Sequence, residues 1–435
     1  MTYPTVTVRS LLAVGALALS LTALAVFAAL CPAAPFVPTG PTVSFTEYVQ
    51  PASAASPPFA AILFVPVTWL PVATLKAVVV VGNVLLLVLL VRLSWRFAAH
   101  RHAPTPVPTP APVPTPAPVP TPAPVPTPVR FSLPSVAVPV LSWFPVLLCV
   151  AVALWLEPVL RTVLFGEIGL ALTCVVLWDL TRPDHALGKG FALGVVAGVE
   201  LAPALFIAYL LLAGRPDAVR AGLTALGSLV GTMLLGALVL PGASLDFWTL
   251  RVFETGRAGE GWTTDNQSLQ GLFARALHTT EPGVGWAVAC VVITFAGLWL
   301  ARRAVVRKGL ETWGILVTAL TALLVSPVSW SHHWVWCVPL LAVLLAEGRW
   351  RTAAAVALVF AARTFRLVPH EGGAELRLPW WQQPLASPYA LLGLALLAYV
   401  AYRCHAPRTR TATRQRATAL AGQLPASNSS ASTIR

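Results

Sequence analysis

Residues 326–336 read Ser326-Pro327-Val328-Ser329-Trp330-Ser331-His332-His333-Trp334-Val335-Trp336. Two adjacent histidines, three hydroxyls and three tryptophans stand between the apolar runs Ile315 to Val325 and Val335 to Ala346. Each run makes most of a membrane crossing. A side chain that donates and accepts hydrogen bonds is costly at membrane depth unless it lines a wet cavity or has a partner. Indole, apolar in body and polar at one tip, suits the membrane interface. The string is therefore either an interfacial anchor or the rim of a site facing one side of a bilayer.

The runs on either side of it set the class of the whole chain. Of 435 residues, 57% are hydrophobic and 10% charged, against roughly 25% charged in a soluble domain. The apolar segments are long, are broken by Pro and Gly, and lack the ten-residue alternation of a barrel. The expected fold is an all-α polytopic membrane protein. A net charge of +13 does not mark a nucleic-acid binder, because the cations sit at the ends of apolar runs. Arg92 and Arg96, Arg182 and Lys189, Arg215 and Arg220, Arg302 to Lys308, Arg349 and Arg351, and Arg403 onward follow the positive-inside pattern. The six cysteines are scattered, with no C-x-x-C pair, and define neither a disulfide framework nor a metal site.

Taken in order, residues 1–103 form an N-terminal membrane segment with a retained signal anchor over Leu11 to Leu30, a first outer loop, an interfacial or re-entrant piece over Phe59 to Leu70, and an inward crossing. Residues 104–129 repeat V-P-T-P-A-P, with 13 prolines in 26 residues. Proline at alternate positions removes donors and fixes φ, which leaves a polyproline II spacer on the cytoplasmic side. Residues 130–402 are the main multi-helix domain. Within it Phe191 to Leu212 starts and ends on the basic side and is interrupted at Glu200 and Pro203, the pattern of a broken helical hairpin. Residues 403–435 are a basic tail. The reading gives about ten transmembrane helices plus re-entrant pieces, in a plasma membrane, with both termini cytoplasmic.

On the face opposite the cations, polar groups come from distant segments: Glu47, Glu157, Arg161, Glu167, Arg251, Arg257, Asn266, Gln267, Ser268, Ser329, His332 and His333. Loops converging over a helical base build a pocket. Nucleotides are not supplied outside the cell, so a lipid-borne donor fits such a site. Arg161, Arg251 and Arg257 are suited to a phosphate through bidentate hydrogen bonds, and a carboxylate near an acceptor hydroxyl can act as general base. Adjacent histidines on a helix point about 100° apart, a poor start for a shared metal, and no H-E-x-x-H, P-loop or G-x-G-x-x-G occurs. Neither a metal nor another cofactor is expected.

The strings Leu324 to Trp336, N-Q-S-L-Q-G (Asn266 to Gly271), E-P-V-L-R-T-V-L-F-G-E-I (Glu157 to Ile168), G-V-E-L-A-P (Gly198 to Pro203) and P-P-F-A-A-I-L-F (Pro57 to Phe64) resemble the glycosyltransferase 87 family. These are polyprenol-phosphate-mannose-dependent α-(1→2)-mannosyltransferases of the GT-C class. The resemblance implies a GT-C-like helical fold and transfer of mannose from a polyprenyl-phosphate donor to an envelope glycolipid or lipoglycan, outside the cytoplasm. It also implies an inverting displacement in which an outer-loop carboxylate deprotonates the acceptor hydroxyl. Three positions depart from the family pattern. The usual first-loop aspartate is absent, which leaves Glu47 as that loop's carboxylate and expected base. Glu167 lies where G-Q-x-N is common, and Glu200 takes the place of a lysine.

Two other readings compete: a non-catalytic relative acting as scaffold, and a transporter using the break at Glu200 and Pro203 as a midplane site. A transporter would show repeat symmetry, and the spans show none.

Overall fold

The computed structural model describes residues 15–20, 22, 56–99, 143–254, 259–370 and 372–405. Glu47, Arg257, the proline-rich segment 104–129 and the tail from residue 406 lie outside the described residues. The described chain is helical, with one isolated bridge and no named strand.

Among the described residues three helices are long and apolar enough to cross a bilayer: α2 (Val72–Ala99), α8 (Pro216–Val239) and α11 (Gly283–Lys308). Each turns large apolar side chains outward, as Val78, Val81 and Leu85 do on α2, Leu234 and Leu238 on α8, and Val284 and Phe295 on α11. An apolar outer face over a buried inner one is what lipid requires.

The other helices are shorter: α1 (Pro58–Phe64), α3 (Trp143–Ala153), α4 (Glu157–Phe165), α5 (Gly169–Thr181), α6 (Phe191–Val199), α7 (Ala204–Leu212), α9 (Pro241–Thr249) and α10 (Leu269–Ala276). After α11 come α12 (Glu311–Val325), α13 (Cys337–Ala346), α14 (Trp350–Ala362) and α15 (Pro388–His405). Ten crossings are therefore not reproduced by helix length. At 1.5 Å per residue a nine-residue helix rises about 14 Å, half of a roughly 30 Å hydrocarbon core. A further candidate crossing is a pair, α3 and α4, bent by 81° at Leu154–Leu156.

Neighbouring helices follow one another around a single core. The contacts run from α13 to α2, α5, α6 and α8, then through α7, α12 and α11 to α15.

Residues 191–212 form the broken hairpin read from the sequence. Gly190 at the foot of α6 lies against Ala221, and Leu211 at the foot of α7 lies against Gly222. The tip, Glu200 to Pro203, stands near the level of Thr232, against which Gly198 packs. Gly190, Gly194 and Gly198 are spaced by four and all face α8. A Cβ at Gly194 would run into the carbonyl oxygen of Ala225. This close approach is what small residues permit between membrane helices.

The two ends of the bundle differ. At one end Arg215 pairs with Glu311, Lys189 with Asp184, and Arg403 with Glu347 at 2.9 Å, while Arg302 Nε donates to Leu212 O. At the other end the α6–α7 tip, the start of α5 and the end of α12 surround residues 326–336.

Candidate active site

The sequence strings singled out above are joined by hydrogen bonds. Residues Ser331–Trp336 form a 3-10 helix preceded by an extended Trp330. Asn266 and Trp330 make an antiparallel bridge, and Gln267 N donates to Ser329 O at 2.8 Å. Asn266 Nδ2 donates to Gly261 O and Pro327 O, while its Oδ1 accepts from Ser268 N and Ser329 N. Gln267 Nε2 reaches Thr264 O and Ala386 O, and its Oε1 accepts from Tyr389 N. Ser268 caps α10 and donates to Pro327 O. Arg275, fully buried, donates to Trp262 O, Thr263 O, Asn266 O and Ser387 Oγ. Burial pulls its guanidinium down to about 9, which leaves it cationic at neutral pH.

A second chain of bonds runs from α15 to the loop after α14. Tyr389 Oη donates to Glu157 Oε2 at 2.9 Å, and Ser331 Oγ donates to Glu157 Oε1 at 2.7 Å. Arg161 Nη1 donates to Ser331 Oγ at 3.1 Å and lies 2.7 Å from Asp265 Oδ1, while its Nη2 donates to Asp265 Oδ2 at 2.9 Å. Arg366 Nη2 lies 2.9 Å from the same Asp265 Oδ1. Burial raises the Asp265 carboxyl, but the adjacent Arg161 guanidinium more than offsets it, so Asp265 ends below the ordinary carboxylate range. Arg366 is lowered by burial, opposed by Asp265.

Arg161, Asp265 and Arg366 line a cavity of about 810 Å³ that opens at the end away from the basic clusters. Arg161, Arg366 and His370 make a basic wall, and Glu167, Glu200, His332 and His333 also line the cavity. Glu254 and Glu260, both exposed, stand at the rim. His332 Nε2 lies 3.7 Å from Glu167 Oε2, and the two histidine rings meet edge to face at 4.6 Å. A smaller annex of about 60 Å³ continues past His333 and Glu200 toward Thr173 and Ser329. Among the described residues no three His, Cys, Asp or Glu side chains are grouped to hold a metal.

Of the residues picked from the sequence, Arg161, Glu167, His332 and His333 line the main cavity, and Ser329 lines the annex. Glu157, Asn266, Gln267 and Ser268 are buried in the framework behind the wall. Arg251 lies at the surface, paired with Asp246 at 3.0 Å and Glu254 at 3.2 Å. Trp334 and Trp336 are core residues, Trp334 tilted against Tyr389 and Trp336 stacked on Phe206, rather than an interfacial belt. Sequence reasoning did not single out Arg366, Tyr389 or Arg275. Arg366 carried a usable signal, because it is a cation at the end of the bundle where the charge pattern expects none.

Residues 55–327, more than half of the chain, match the profile of Glycosyltransferase family 87. The chain belongs to this family. A relative from Mycobacterium tuberculosis named polyprenol-phosphate-mannose-dependent α-(1-2)-phosphatidylinositol mannoside mannosyltransferase is 33% identical, over 59% of this chain and 60% of its own. Its namesake from Mycolicibacterium smegmatis is 30% identical, over 60% of this chain and 61% of its own. A pentamannoside mannosyltransferase of M. tuberculosis is 35% identical, over 47% of this chain and 46% of its own. The chain thus spans about three fifths of the length of the first two curated relatives it matches. No solved structure matches it. The family 87 match stops before Trp330, yet Trp330, His332, His333 and Arg366 all line the same cavity as Arg161 and Asp265 from within it.

Proposed function

We propose that this family 87 member is a membrane mannosyltransferase. It takes mannose from a polyprenyl-phosphate carrier and adds it to a hydroxyl of a mannosylated glycolipid, on the extracytoplasmic side of the plasma membrane. The observation that carries the reading is the layout of the cavity, where a two-arginine wall and a patch of carboxylates and imidazoles share one space. The names of the mycobacterial relatives support the donor and the acceptor class.

In this reading the acceptor oxygen attacks the anomeric carbon and the bond from that carbon to the phosphate oxygen breaks. The electron pair leaves with the polyprenyl phosphate, and the acceptor proton passes to a carboxylate. The donor phosphodiester carries one negative charge, and the departing monoester approaches two. Arg161 and Arg366 therefore face charge that grows during the step, the condition under which fixed cations lower a barrier. Glu47 is the proposed base, a role taken from the sequence. Glu167 and Glu200, beside the two histidines, are placed to hold sugar hydroxyls. Guanidinium groups supply the phosphate contacts, so this proposal calls on no metal or nucleotide. The basic clusters hold the opposite end of the bundle, and both termini, in the cytosol.

The test is transfer of labelled mannose from polyprenyl-phosphate-mannose to mannosylated lipids in membranes containing the protein. Arg161→Gln is expected to lower turnover by at least about a hundredfold. Absence of transfer to every mannosylated lipid offered would overturn the reading.

A further inference from the structure

Resting on the proposed function, we propose that Asp265 is a built-in competitor for the lipid phosphate: its carboxylate holds the Arg161–Arg366 pair, a phosphate monoester must displace it to bind, and its return expels the product.

The geometry of the three side chains carries this. Arg161 Nη2 donates to Asp265 Oδ2 at 2.9 Å, and Arg161 Nη1 and Arg366 Nη2 lie 2.7 Å and 2.9 Å from Oδ1 as ion-pair contacts. Two guanidinium groups converging on one anion are also how a phosphate is held. The arginines have other contacts as well. Arg161 lies over the Phe165 ring at 4.8 Å and donates to Ser331, and Arg366 lies over the Phe365 ring at 5.4 Å. Arg161 therefore keeps a hydrogen bond and a ring contact besides Asp265, and Arg366 a ring contact.

Asp265 is also more exposed than the other carboxylate beside Arg161. Its side chain keeps 23% exposure on the cavity wall, whereas Glu157, the other carboxylate at Arg161, keeps 5% and is tied to Ser331 and Tyr389. The next residues, Asn266 and Gln267, anchor the loop through backbone partners. Asp265 can thus rotate aside without unfolding its loop. In the exchange a monoester brings nearly two charges and three oxygens against one charge and two, so phosphate wins when present, yet binds less tightly than it would to an uncontested pair.

The experiment is calorimetric binding of dodecyl phosphate and of inorganic phosphate to the purified full chain in detergent. Asp265→Asn is expected to bind dodecyl phosphate about tenfold tighter than wild type, and Arg366→Gln about tenfold weaker. In the transfer assay Asp265→Asn is expected to show a matching fall in the inhibition constant for dodecyl phosphate. Asp265→Ser, with folding checked by gel filtration, guards against a fault peculiar to asparagine. Unchanged or weaker binding in both folded Asp265 variants would overturn the inference and make Asp265 an aligning residue. Binding indifferent to Arg366→Gln would overturn it as well. Tighter binding of dodecyl phosphate than of inorganic phosphate assigns the site to a lipid-borne head group, and equal affinity for the two assigns it to free phosphate and removes the product-release role. A chain that never transfers mannose, but whose Asp265→Asn form binds phosphate more tightly, keeps this inference and loses the proposed function.

Discussion

Asn266 sets each of its amide groups against backbone, two carbonyls and two N–H groups drawn from two loops. Its removal strands buried groups at about 1–3 kcal/mol each. Asn266→Ala is therefore expected to lower the yield of monodisperse protein steeply on gel filtration, and a wild-type yield would refute the assignment. Sequence alone placed Asn266 and Gln267 among ligand contacts, because an amide that stitches loops and an amide that meets a sugar look alike in a string of letters. Arg161 was read as a phosphate partner, and the structure places it on the cavity wall beside Asp265 and Arg366. At Glu47, Glu47→Gln is expected to cost about a hundredfold in turnover, the scale of lost general-base catalysis; undiminished transfer would pass the role to another carboxylate. Asp265 makes a pH prediction. Its carboxyl is depressed in the folded chain, so its contribution to stability is present above the unfolded value of about 3.9 and is lost as pH falls through the lower folded value. Below about pH 4 the thermal midpoint of wild type is expected to converge on that of Asp265→Asn, and a gap that persists there would refute it.

Among the elements, the α6–α7 hairpin was the most readable. Glu200 and Pro203 interrupt an apolar run that begins and ends beside cations, and the chain does break there. What the string did not announce is how the hairpin is held. The glycines on α6 admit the backbone of α8, and Gly194→Val is expected to force the two apart. Loss of the folded state should exceed the cost of an overpacked core, about 1–3 kcal/mol, and thermal unfolding in detergent measures it. The α3–α4 bend went the other way. The sequence analysis did not mark a bend there, although Glu157-Pro158 is a helix start, with proline at its first turn and Leu156 extended before it.

For the whole molecule, cations at the ends of apolar runs suggested a sidedness, and the structure does gather Lys189, Arg215, Arg302 and Arg403 at one end of the bundle. The number of crossings was not legible, since half-length helices and bent pairs share the apolar content of full spans. Sidedness predicts a labelling result. Leu367→Cys, exposed near the cavity mouth, is expected to react with an impermeant maleimide on intact cells, and Trp350→Cys, exposed at the basic end, only after permeabilisation. The reverse pattern would place the site in the cytosol. The Arg161–Asp265–Arg366 cluster also bears on how the protein is made. Its members enter the bilayer early, midway and late, and Tyr389, which steadies the Glu157 behind them, arrives last. A ribosome that stalls before α15 leaves Glu157 without its tyrosine partner.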